Sequence, residues 1–483
     1  MATVSGVGDL TGYVSQLIGL ERSRGPIKVY EEEKSSLTRR NATLTDLRTN
    51  LSALNSQVQS LGQVGTLSPF AVKAVTSSAT GLVTATASSS ALTGAHSLTV
   101  TQLAKQSTVV SSQWTKTGSD LRTAAGAGEH TFRLTVAGEN TDVTVQVAAG
   151  DDNQTLLAAM AAAINGSDAA VTASVVGDTP TTARLVLTAH KTGSENAIAL
   201  ADQSGTLLAA TGTASGVRAS GTAGGALYAS EDLNALFSLD GLSITRGSNS
   251  IDDVLTGVTL TLQGTQASGA TPLTLSVGAD VTGIQAKVQS FLDAFNSTVK
   301  YLNERTATTV SANTNTFGTT TVNSVTRGVL SDDPTYLSLL MNLRLDAGGA
   351  VTTPSAGGPS LLSELGITAA ADGTLSVTDA TKFSEALNDG SETVAALFNS
   401  ENGIATRLAT RLAGFVNAGG VVDGSLASTA LQLNRANDSI HAQEALLKVR
   451  ESMLMQQFTQ LQKSLSQLTS QQSMLAAVTA LSA

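Results

Sequence analysis

The chain has no cysteine anywhere in its 483 residues. That excludes a disulfide framework, a thiol nucleophile and a thiolate-ligated metal, so stability has to come from packing alone. Aromatic residues are almost as scarce, at 3% with the single tryptophan Trp114, although 41% of the residues are hydrophobic. Core volume therefore comes from Ala, Val and Leu, and there is little aromatic surface on which a sugar ring could stack. The four histidines, His96, His130, His190 and His441, lie far apart and read as surface or strand residues rather than metal ligands. Long apolar runs are missing too. The first basic residue is Arg22 and the longest early apolar run is Leu17-Ile18, broken by Gly19. Neither a cleavable secretory signal nor a membrane span of eighteen or more apolar residues is read here.

Catalytic spacing is also lacking. No H-E-x-x-H, G-x-x-x-x-G-K-[ST] or G-x-S-x-G pattern occurs. Gly126-Ala127-Gly128 lacks the third glycine of a dinucleotide fingerprint and reads as a loop. Asp151-Asp152-Asn153 lacks the glycine and distal glutamate of a calcium loop, and a helix N-cap is the simpler account. Glu231-Asp232 and Asp252-Asp253 read as solvated turn residues. The expectation is a nonenzymatic protein with no cofactor and no metal.

Charge is unevenly spread. Of the net charge of −10, residues 66–430 carry seventeen basic against twenty-nine acidic side chains, whereas 1–65 carry seven against six and 431–483 four against three. An acidic body repels phosphate backbones, and no basic stripe interleaved with aromatics is present, so nucleic acid is not an expected partner.

What is present is a seven-residue repeat at both ends. Leu433, Ile440, Leu447, Leu454, Leu461, Leu468 and Leu475 recur every seventh position, with no Pro or Gly from Leu426 to Ala483. A strict heptad predicts one continuous helix whose apolar stripe another helix must cover. At about 1.5 Å per residue the stripe runs roughly 60 Å, too far for one compact core to cover. Its second row is thin: Gln443, Arg450, Gln457 and Gln471 hold the +3 positions, while Phe458 and Leu465 widen the face at +4. At the other end Leu37, Leu44, Leu51 and Val58 recur every seven, with Leu47, Leu54 and Leu61 at +3. If the two arms pair within one chain they run antiparallel, because one enters the body and the other leaves it.

Between the arms the period changes. Residues 1–25 carry Val7, Leu10, Val14, Leu17 and Leu20 at helical steps weakened by Gly6, Gly8, Gly12 and Gly19; Gly25-Pro26 then breaks the chain before an arm from about Ile27 to Leu61. From about Thr76 to Val281 apolar residues alternate, as in Leu98 and Val100, Phe132 to Val136, Val143 to Val147, Leu185 with Leu187, Val258 to Leu262 and Leu273 to Val277. These predict half-buried antiparallel strands, with a tight turn at Asp240-Gly241. One helix, Asn153 to Ile164 closed by Asn165-Gly166, interrupts them, and Gly205 to Gly225 reads as a linker. The helical period resumes at Ile284 and runs to about Arg305, followed by a Thr/Asn-rich loop to Thr326 and a helix start at Asp332-Asp333-Pro334. A small hairpin around Asp372-Gly373 and helices at Ala380–Leu387, Thr393–Phe398 and Ile404–Val416 lead to the C-terminal arm.

This order of parts resembles the bacterial axial flagellar proteins, and two internal passages narrow the likeness to hook-associated protein 2, the filament cap family. Thr131 to Val136, Leu156 to Asn165, Arg184 to Thr188, Lys191-Thr192-Gly193 and Asn196-Ala197-Ile198 resemble the insert of flagellin and cap proteins. Phe237-Ser238-Leu239-Asp240-Gly241 with Arg246, Ser248-Asn249 and Gly257 to Leu260 resembles the cap head. Phe295-Asn296, Leu365-Gly366-Ile367 and Asp372 to Leu375 resemble its leg, and Ser5-Gly6-Val7-Gly8 its start. The resemblance implies an α+β multidomain protein: a terminal antiparallel coiled coil (1–38 with 440–483), a helical leg (39–75 with 284–439), a β-rich head (76–125 with 216–283) and a second β-rich head domain inserted in it (126–215). It further implies export by the flagellar type III route, a homo-oligomeric ring of roughly four to six copies at the distal tip, and help for exported flagellin to insert beneath it. Flagellin, other hook-associated proteins and an export chaperone are the implied partners, and the heptad residues of both arms the implied assembly seam. A flagellin, a hook-filament junction protein and a tip adhesin active in cell adhesion are the alternatives.

Overall fold

The computed structural model describes residues 10–214, 216–314, 320–352 and 358–481, with side-chain surroundings for all of these but 10–11, 311–323 and 478–481. The motif Ser5-Gly6-Val7-Gly8 lies outside the described residues. Among the described residues ten α-helices form: α1 (Leu10–Arg24), α2 (Pro26–Leu61), α3 (Asp120–Ala125), α4 (Asn153–Asn165), α5 (Leu207–Thr211), α6 (Val281–Thr306), α7 (Pro334–Gly348), α8 (Ala380–Asn399), α9 (Ile404–Val416) and α10 (Val421–Leu481). Contacts divide the chain into two units, residues 1–70 with 281–483, and residues 71–280.

The first unit is helical, and its helix ends follow local chemistry. Gly25 sits extended before α2 with Pro26 as the first helical residue, where a missing N–H costs nothing. Asp333 caps α7 by accepting from Thr335 N, and Asp379 caps α8 from Lys382 N. The backbone leaves helical geometry inside α8 at Gly390, between the two shorter helices that the sequence indicates. Ile284, Val288, Phe291, Leu292, Phe295, Val299 and Leu302 form the buried face of α6. Phe398 stacks on Phe70 with centroids 5.4 Å apart and meets Phe291 edge-on at 6.4 Å. A short hairpin, Ile367–Ala369 with Leu375–Val377, turns at Asp372-Gly373 as anticipated. The expected loop up to Thr326 is different: Thr308–Thr314 and Thr320–Arg327 pair antiparallel as a two-stranded ribbon. Its Thr, Val and Ser residues favour extended backbone, and no clean alternation marks a buried face.

The second unit is built of antiparallel sheets. One five-stranded sheet has the order Lys73–Ser77, Leu273–Ala279, Gly94–Gln102, Ala235–Leu239, Leu242–Arg246. It shares a core with the three strands Ser250–Leu255, Val258–Leu262 and Val83–Ala87, through residues such as Leu98, Val100, Phe237, Leu260 and Leu275. The Asp240-Gly241 turn has both residues at positive φ, the geometry that a two-residue hairpin requires. A separate core lies between residues 109 and 208. There α4, capped by Asp152 through Thr155 N, packs with Phe132, Val143, Leu185 and Leu187 from the surrounding strands. Gly166 ends α4 in a right-handed conformation rather than the left-handed one common at such positions.

The stretch Gly205 to Gly225 is not a free linker. It contains α5, with Leu207 and Leu208 buried in the second core, and the Asp202 carboxylate accepts from Leu208 N and Ala209 N to start the helix. Arg184, nearly buried, ties the following segment down by donating to the carbonyls of Gly221 and Ala223 and to that of Ser111, while pairing with Asp178 at 2.7 Å. Hydrogen bonds to Asp178 from the Thr182 hydroxyl above all, and from Arg184 and Gln113, outweigh desolvation and hold its carboxyl down to about 2.

Candidate functional site

The terminal helices carry the predicted seam, and its two halves have different fates. Leu37, Leu44, Leu47, Leu51, Leu54, Val58 and Leu61 are all buried along one face of α2. Three helices cover that face, α10, α6 and α9. Thr298 Oγ1 donates to Asn50 O and Tyr301 Oη to Thr43 O, fixing α6 against α2. The α2 stripe is therefore largely an internal core of the helical unit.

The ion pairs set the direction of α10. Arg48 meets Asp423 at 3.3 Å, Arg22 meets Glu444 at 2.8 Å and Glu21 meets Arg450 at 3.0 Å. As one partner steps back along the chain the other steps forward, so α10 runs antiparallel to α2 and then α1. These pairs are exposed and contribute little energy; their value is as markers of register.

Cover on the C-terminal stripe fades along α10. Ile440 is buried, and Leu433, Leu447 and Leu454 are half-buried. Leu461 is 52% exposed, Leu468 59% and Leu475 65%. From Thr459 to Ala477 every side chain is exposed, Leu465 and Met474 among them. Tyr13, Leu17 and Leu20 form a second exposed apolar row on α1, while Val14 on its other side is buried. The structure thus gathers the seven N-terminal seam residues into a core, brings Leu433, Ile440, Leu447 and Leu454 partly under cover, and leaves Leu461, Leu468 and Leu475 outside. Sequence reasoning put Leu17 and Leu20 on one apolar row with Val14; the structure buries Val14 and leaves Leu17 and Leu20 exposed with Tyr13, which that reasoning did not single out.

Such a surface binds by burial and performs no covalent chemistry. Covering one leucine is worth about 1.5 to 3 kcal/mol, and most of a helix's stability in a protein comes from packing its apolar face. Among the described residues no group of three or more His, Asp or Glu side chains gathers to hold a metal, and no helix is long and apolar enough to cross a membrane. His96 pairs with Asp240, and His130 reaches the Gly126 carbonyl.

Comparison with known proteins gives a consistent set of likenesses. Residues 233–470 match the family described as flagellar hook-associated protein 2 C-terminus, and residues 7–107 its N-terminus. Residues 131–191 match the flagellin hook IN motif. The chain is 29% identical over 472 residues to the B-type flagellar hook-associated protein 2 of Pseudomonas aeruginosa, covering 95% of this chain and 93% of that one. It is 24% identical to flagellar hook-associated protein 2 of Escherichia coli strain K12, covering 98% of both. In fold it is similar to the D1-D2-D3 domains of the flagellar cap protein FliD from Escherichia coli, with a TM-score of 0.55 at 23% identity over 80% of this chain and 99% of that chain.

Proposed function

The chain belongs to the flagellar hook-associated protein 2 family, and we propose that it acts there as a homo-oligomer whose copies join through the terminal helices. It is a flagellar filament cap protein, a structural component at the distal tip of an extracellular filament. The observation that carries the assembly mechanism is the progressive uncovering of the α10 stripe from Ile440 to Leu475. A strictly repeated apolar row left in water is unfavourable for a lone chain and favourable once another helix lies along it. The buried half of the seam holds each copy together, and the exposed half joins copies to one another.

Flagellin, arriving through the filament, is the substrate in the mechanical sense: the cap holds a space beneath itself in which the subunit folds and inserts. Loosely covered terminal helices suit transit through a narrow export channel, since little burial has to be undone there. Four to six copies in the ring, export by the type III route, and contacts with hook-associated proteins and an export chaperone belong to the same proposal. So does the division into a terminal domain (1–38 with 440–483), a leg (39–75 with 284–439), a head (76–125 with 216–283) and an inserted head domain (126–215), although the pairing of Lys73–Ser77 with Leu273–Ala279 supports ending the leg near Phe70. The second core and the pairing of Gln106–Val110 with Thr182–Thr192 support drawing the insert outward, to begin near Gln106.

Electron microscopy of the purified protein mixed with native filaments tests the role. Decoration confined to one end is the expected result. Binding along the whole filament, or none at all, counts against a cap.

A further inference from the structure

A closed ring of more than two copies needs a heterologous interface, in which one patch of each chain meets a different patch of the next. The helical unit carries two further apolar patches, on elements other than the terminal helices. The first is a ridge on α7. Tyr336, Leu339, Leu340 and Leu343 face inward and are buried, while Leu337, Met341 and Leu345 stand outward at four-residue steps, with Met341 64% and Leu345 66% exposed. The ridge spans about 12 Å of helix, and the exposed residues between Thr335 and Gly348 include no charge.

The second patch is on the ribbon Thr308–Thr314 with Thr320–Arg327. Among the described residues its strands pair only with each other, which leaves two edges without a strand partner. Val310 and Val325 are directly opposed in the register, which puts them on one face, and they are 57% and 52% exposed. A ribbon of two strands is marginal in water and gains stability when one face is laid on another element. Thr308, Thr309 and Thr326 beside them are uncharged, and Arg327 at the base already faces Asp332 at 3.4 Å. An edge with so few charges has little to keep another chain away.

We propose that the valine face of this ribbon lies on the α7 ridge of the next copy, forming a leg-to-leg contact around the ring. The proposal rests on the homo-oligomeric cap described above. Charge selects the occupant: copies with a net charge of −10 repel one another, and they approach at least cost where both surfaces are neutral. Both patches meet that condition, and one is flat where the other is ridged. The two differ and belong to the same unit, so their union repeats head to tail, as ring closure demands.

The absence of cysteine allows a clean test. Full-length V310C and M341C chains are mixed at a concentration where sedimentation velocity shows assembly, then oxidised. The expected product is a disulfide-linked dimer that neither variant forms alone and that V176C mixed with M341C does not form. The double variant V310C/M341C should give a ladder ending at the ring size. An assembled ring without the V310C–M341C link overturns the leg contact and leaves the cap role standing. A persistent monomer overturns both. If M341C labelled with benzophenone attaches to added flagellin and not to a second copy, the ridge serves flagellin and the proposal fails.

Discussion

The side chain of Asn296 hydrogen bonds to Leu375 as a neighbouring β-strand would: Nδ2 donates to the Leu375 carbonyl at 2.7 Å, and Oδ1 accepts the Leu375 N–H at 2.7 Å. The hairpin Ile367–Val377 is thereby held on α6, with Asn303 Nδ2 adding a bond to Asp372 O at 2.9 Å. Asn249 makes the same pair of bonds to Ala104, and Asn165 to Ala173. Asn296 and Leu375 lie far apart in sequence, yet each satisfies the other's polar groups where water has limited access. Replacing Asn296 by Ala leaves a partly buried N–H and C=O unpaired and should cost about 2 kcal/mol. Asn296→Asp should cost as much, because a carboxylate oxygen then faces the Leu375 carbonyl. Urea unfolding followed by a helical signal should show an earlier midpoint, and an unchanged midpoint would remove the clamp from any account of leg stability.

The two halves of the seam should respond differently to charge. Leu454 and Leu461 lie where α10 is losing its cover, so Leu454→Asp with Leu461→Asp should leave the monomer's circular dichroism and melting nearly unchanged. Assembly should be lost, leaving cells non-motile with flagellin in the medium. Leu47→Asp with Leu51→Asp places two carboxylates in a fully buried face and should cost on the order of 5 kcal/mol or more, unfolding the helical unit itself. Normal swimming by the α10 double variant would show that its stripe is not the assembly surface.

Limited trypsin digestion should report the same gradient. Lys463 is the only Lys or Arg after Arg450 and lies in the fully exposed part of α10. Cleavage at Lys463 is expected first, with Lys448 and Arg450 following, while the strand-rich residues 71–280 persist. Assembly should protect Lys463. Early cuts within the strands while α10 stays whole would contradict this order.

Acid should loosen the second unit through Asp178. Its folded pKa of about 2 lies below the ordinary 3.8, so the ionised form is favoured by folding. The stabilisation is fully present above the unfolded value and is lost as pH falls from about 4 through 2. After allowance for solvent screening it is worth about 1 to 2 kcal/mol. Asp178→Asn should lower the melting temperature at neutral pH and flatten its fall across that acid window. Parallel acid profiles for the two proteins would mean that Asp178 does not couple folding to protonation.

Much of this architecture is legible in local patterns because local patterns obey local physics. The heptads of α2 and α10, the alternation of Phe132, Leu134 and Val136, the Gly25-Pro26 break and the Asp240-Gly241 turn each follow from backbone geometry and one-sided burial within a few residues. The sequence by itself thus determined most of the helices and strands that have one buried face, that no thiol chemistry is available, and which rows of side chains must be covered. It did not determine what covers them. Leu37 to Leu61 read as half of a coiled-coil seam with the C-terminal arm; α10 does lie along α2, but α6 and α9 share that face, and only distant contacts made that choice. Gly205 to Gly225 has a linker's composition, yet Asp202 and Arg184 fasten its parts from elsewhere in the second unit. The ribbon Thr308–Arg327 escaped notice for the opposite reason: its sequence shows no apolar alternation, and its side chains at 308–310 and 324–327 are exposed. The Asn296 clamp and the outward ridge of α7 arise only in three dimensions: an amide's partner and a helix's exposed side depend on which surfaces the rest of the chain has already occupied.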